Sequence, residues 1–96
     1  MKKEKAKALI NQAIDRAIQH LAGTRDKCLP DNLDAQVTRF LDYLREMHAS
    51  LESPAIKLQP RTAMTYAIAD GWPFGSELAK MICAAESAYE SLKIDS

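Results

Sequence analysis

The chain has 96 residues, enough for one domain, and at this length roughly 60–65% of the unfolded surface can be buried, so a core forms without staples. Lysine plus arginine equals aspartate plus glutamate at 13 each, which removes the usual electrostatic case for nucleic acid or an anionic membrane as partner and leaves little self-repulsion against association. Fifteen alanines against three glycines and four prolines favour helices that approach closely, and two cysteines, Cys28 and Cys83, are too few for a disulfide framework and point to a reducing cytoplasm.

The amino terminus is basic, with Lys2, Lys3, Lys5 and Lys7, as a secretion leader would be. Asn11, Gln12, Asp15, Arg16, Gln19 and His20 then interrupt the next stretch, so no leader is expected. No run approaches the ~20 apolar residues of a membrane span. Instead Ala6, Leu9, Ile10, Ala13, Ile14, Ala17, Ile18 and Leu21 recur at helical spacing and predict a first helix over about 3–22. Gly23 supplies its stop.

A polar connector occupies 24–30. Asp31 reads as an N-cap with Asp34 three places on, opening a second helix over about 32–52. Its apolar residues, Leu33, Val37, Phe40, Leu44, Met47 and Leu51, alternate in steps of four and three, and Leu41 widens the stripe. Ser53-Pro54 ends it, because the residue before proline disfavours the helical region. Two helices of similar length with a short connector predict an antiparallel hairpin.

After a linker that carries Ala55, Ile56 and Leu58, Pro60 suits the first turn of a third helix, expected over about 60–69. Ala63, Met64, Ala67 and Ile68 mark its inner face, and Asp70-Gly71 is a turn signal. The last helix begins at Pro73 or waits for Ser76 as its cap, and runs to about 93 with Phe74, Leu78, Met81, Ile82, Ala85, Ala88, Tyr89 and Leu92 on one face. The fold class is therefore all-α, a compact bundle of three to four helices around a long antiparallel hairpin. The alternative is that part of the hairpin seam stays free and is covered in a homodimer.

Motifs for chemistry are sparse. Gly23, Gly71 and Gly75 form no phosphate loop, and no paired-cysteine, HExxH or calcium-loop spacing occurs. His48 projects between Leu41 and Leu44 and is the candidate polar group in the core, while His20 projects to the edge of the first stripe. The two lie at opposite ends of the hairpin, so a shared metal is not expected. Asp42 and Glu46 with Arg39 and Arg45, and Glu86 and Glu90 with Lys93, read as solvated ion-paired faces. Cys83 projects away from the last helix's apolar face, beside Ala79 and Glu90, with no base in sight. Ala67 and Gly71 have a helix-turn-helix offset, but Glu77 and Lys80 stand where apolar residues belong.

Tyr66, Trp72 and Phe74 remain as the candidate partner contact, since aromatic residues concentrate at interface centres. The favoured alternative folds Trp72 and Phe74 back as a lid on the alanine-rich core. The functional expectation is a small non-enzymatic protein-interaction module of the adaptor, assembly or immunity type, cytoplasmic, binding another protein or itself, with no catalytic residue, cofactor or metal. Alternatives are a small-ligand binder or enzyme with a pocket near His48, and, disfavoured, a nucleic-acid binder.

Overall fold

Four α-helices carry the chain in a computed structural model that describes residues 2–52, 63–73 and 75–95. Helix α1 (Lys2–Ala22) ends where the sequence asks it to. Gly23 takes φ +125°, its N–H donates to the His20 carbonyl at 3.4 Å, and the Thr24 N–H reaches back to the Gln19 carbonyl at 2.8 Å. These are the two bonds of a Schellman turn, which satisfies carbonyls that the helix end would leave orphaned.

The entry to α2 corrects the expected Asp31 cap. Pro30 holds the cap position in extended conformation, and a 3-10 turn (Asp31–Leu33) leads into α2 (Asp34–Glu52). The Asp31 carboxylate turns instead to Arg25, with Nη2 to Oδ1 at 2.9 Å. Helix α3 (Ala63–Gly71) follows, and α4 (Glu77–Asp95) completes the chain. Of the two starts expected for the last helix, Ser76 is the one used: its hydroxyl accepts the Ala79 N–H at 3.1 Å, an N-cap to the third helical position. The Ser53-Pro54 stop, the linker apolar residues, Pro60, Phe74 and the Lys93 side chain lie outside the described residues.

Helix α1 packs against both α2 and α4, and α3 packs on α4. Lys7 pairs with Glu52 at one end and His20 meets Asp34 at the other, so α1 and α2 are antiparallel. Arg16 lies 3.9 Å from Glu77, which sets the start of α4 beside the late turns of α1. Helices α2 and α4 therefore run the same way, and the Tyr89 hydroxyl donates to that of Ser50 at 2.9 Å near their far ends. The Cα radius of gyration is 12.9 Å, close to the ~12.5 Å of a compact domain this long. Among the described residues no helix is long and apolar enough to cross a membrane.

Val37, Phe40, Leu41, Leu44, Met47 and Leu51 are all buried inside the chain. The hairpin seam is thus already covered, by α1 and its neighbours, and is not available for a dimer. Ala6, Ile10, Ala13, Ala17 and His20 form the fully buried line of α1. Three alanines in that line let α2 and α4 approach the α1 backbone from two sides.

Candidate functional site

His20 lies deeper than the expected edge of its stripe, and His48 is half-buried. The imidazole of His20 is fully buried, whereas His48 keeps 27% of its side chain exposed, with Nε2 4.0 Å from Glu52. Leu9, Ile10, Ile14, Ile18 and Leu21 pull a projection of α1 toward the bulky side. Its true burial axis follows the alanines, roughly 60° away at about 100° per residue, because α1 is flanked by two helices. His20 falls on that axis. At the level of His48, α1 offers Lys7 rather than an apolar side chain, and Lys7 and Glu52 make a polar rim there.

His20 belongs to a polar network that ties the connector 24–30 to α4. Its Nδ1 accepts the Asp26 N–H at 2.9 Å, which leaves Nε2 to donate to Asp34 Oδ1 at 3.3 Å. The Arg25 guanidinium makes two bonds to the Asp34 carboxylate, at 2.7 and 3.2 Å, and holds its carboxyl below the ordinary value. Asp26 is itself buried and accepts three hydrogen bonds: from the Leu78 N–H at 3.0 Å, the Ser76 hydroxyl at 2.8 Å and the Cys28 N–H at 2.9 Å. Burial pushes the Asp26 carboxyl up, but these three bonds and the charge of Arg16 together hold it below 3.8.

Serine, histidine and aspartate thus meet in one buried cluster without forming a nucleophilic triad. His20 touches the backbone of Asp26, not its carboxylate, and the Ser76 hydroxyl is engaged by Asp26 and by the Ala79 N–H. A triad needs the imidazole between the two. The cluster caps a helix.

Glu86 does the same for α3 and corrects its expected place on a solvated face. It is 1% exposed, and its carboxylate accepts the Met64 N–H at 3.2 Å, the Thr65 N–H at 2.8 Å and the Thr65 hydroxyl at 2.7 Å. Helix α3 lies over this side of α4, so a residue that projects away from α1 is still covered. Among the described residues, every buried side-chain nitrogen and oxygen has a hydrogen-bond partner. No three histidine, cysteine, aspartate or glutamate side chains gather among them as a metal site.

The aromatic residues separate. Trp72 is buried, with its ring stacked on Phe40 at 5.6 Å between centroids and Nε1 donating to Gln36 Oε1 at 2.8 Å. Tyr66 is 72% exposed on the outer side of α3. Beside Trp72 a groove of about 270 Å³ opens between α3 and α4. Ile68 and Ala69 of α3 with Trp72 just after it form one wall, Ala79, Lys80 and Cys83 the α4 wall, and Pro73, Gly75 and Ser76 also line it. Cys83 is half-buried here, not exposed as expected. Burial and the nearby Glu86 charge push its thiol up, against a hydrogen bond with Thr65, which leaves it a poor nucleophile. The groove went unforeseen because it arises from the way α3 lies on α4, which neither helix's periodicity encodes.

No known protein family, curated protein or solved structure matches the chain.

Proposed function

We propose that the protein is a non-enzymatic interaction module that receives an apolar side chain of another protein in the groove between α3 and α4. The groove itself carries this proposal: it is open, mostly apolar and lined in part by Trp72. Its volume of about 270 Å³ falls below the 300–1,000 Å³ typical of clefts that enclose a small-molecule ligand, and suits one or two inserted side chains.

Two further observations favour a binding role over catalysis or nucleic acid. The buried carboxylates of Asp26 and Glu86 have their oxygens committed to helix N-termini and, for Asp26, to the connector N–H of Cys28 as well. Lys7, Arg16 and Arg25 pair with Glu52, Glu77 and Asp34, so these cations are matched by acids rather than left to track a phosphate backbone. A cytoplasmic setting accords with two free thiols.

The test uses Trp72, the sole tryptophan, as a built-in reporter. Peptides are selected from a displayed random library on the wild-type protein and titrated against it. Binders are expected to change Trp72 emission and to lose at least about ten-fold in affinity for Ala69→Phe, which fills the groove from an exposed position. Selection of no peptide, or of peptides indifferent to Ala69→Phe, overturns the proposal.

A further inference from the structure

We infer that the groove selects a partner segment in which the inserted apolar residue is flanked by aspartate or glutamate; this rests on the interaction proposal above. Lys80 stands on the α4 wall, exposed, and among the described residues it has no ion-pair partner. The Cys28 Sγ lies 3.8 Å from where a Cβ on Gly75 would sit, so Cys28 borders the groove at its Gly75 end. Lys27, the residue before it in the connector, is exposed and likewise lacks an ion-pair partner among the described residues.

The nearest acids are directed elsewhere. Asp70 follows Ala69 on α3 and projects roughly 100° away from it around the helix, off the groove side. Glu77 sits beside Arg16, on the side of α4 that faces α1. An apolar slot with the Lys80 ammonium on its wall and Lys27 nearby in sequence to its Gly75 end is complementary to an apolar side chain with neighbouring carboxylates. Such rim charges set association rate and partner choice more than total affinity. A neutral or basic flanking sequence forfeits that steering. The chain as a whole carries no net charge, so the preference is local to this rim.

The library selection is repeated on Lys80→Glu, a substitution at an exposed helix position that leaves the groove walls in place. Wild-type binders are expected to carry aspartate or glutamate within about two residues of a large apolar residue. Their affinity should fall about five- to ten-fold for Lys80→Glu and decline with added salt. Selection on Lys80→Glu should turn toward lysine and arginine. If binders sensitive to Ala69→Phe show no acidic enrichment and no response to Lys80→Glu, the acidic-segment inference is overturned while the groove stands as the contact. If no binder is sensitive to Ala69→Phe, the interaction proposal fails and takes this one with it. A single-stranded oligonucleotide that displaces the peptides and shifts Trp72 emission by itself also overturns the inference, since phosphate charge alone would then suffice.

Discussion

Trp72 joins three elements through one side chain: its face stacks on Phe40 of α2, its indole N–H reaches Gln36, and its edge borders the α3–α4 groove. Removing the ring leaves a cavity that three neighbours cannot jointly collapse. Trp72→Ala should therefore cost about 3–5 kcal/mol of stability, read from the urea midpoint. Trp72→Phe keeps most of the stack and loses the hydrogen bond to Gln36, so its cost should be about 1 kcal/mol. Equal midpoints for Trp72→Ala and wild type would contradict the buried ring. At this scale the sequence was legible where the bulk of a side chain decides its place, as at Val37, Phe40, Leu44, Ile82 and Tyr89. It was not legible at His20. A helix between two neighbours has its burial axis set by the closeness of their backbones, and alanines mark that closeness without adding hydrophobic weight to a projection.

The helices are stopped locally and started from afar. Gly23 ends α1 with bonds that span at most five residues, and Ser76 caps α4 three residues away, both readable from residue type. The Leu78 N–H in the first turn of α4 is met by Asp26, 52 positions before it, and the Met64 and Thr65 N–H groups of α3 by Glu86, 22 positions after Met64. No local pattern reports a cap at such separation, which is why Glu86 reads as a surface residue. Glu86→Ala should leave two backbone N–H groups without partners and cost about 2–3 kcal/mol, with hydrogen exchange rising first in the opening turn of α3. Asp26 predicts the acid limb of the stability curve. Its carboxyl is held below the ordinary value, so its contribution is present at neutral pH and down to about 4, and is lost as pH falls through the lowered value. Asp34 acts in the same direction through Arg25. Urea midpoints between pH 7 and pH 2.5 should fall steeply below about pH 4 in the wild type. Asp26→Asn should be less stable at pH 7 and lose less on acidification. A parallel displacement of the two curves would refute the role given to Asp26.

At the scale of the whole molecule, α1 is the shared partner of α2 and α4 and precedes both in the chain. Its seam partners on α2 are buried within the chain, so sedimentation equilibrium should give a monomer at high micromolar concentration. A dimer there would mean that another face associates. The all-α class, the helix count and the antiparallel hairpin follow from periodicity and stop signals. The placement of α3, and with it the groove, depends on tertiary contacts that periodicity does not carry. The alanine line of α1 also has a bearing on how the protein is made. On the ribosome the α1–α2 hairpin is complete before α4 has been synthesised, and the flank of α1 that α4 will cover must wait in water. Three of the side chains on the buried line of α1, Ala6, Ala13 and Ala17, expose only a methyl group each, so that line offers less adhesive surface to other nascent chains during the delay than a line of leucines would. The close packing that alanine permits in the finished fold thus also keeps down the apolar area that the half-made hairpin leaves in water.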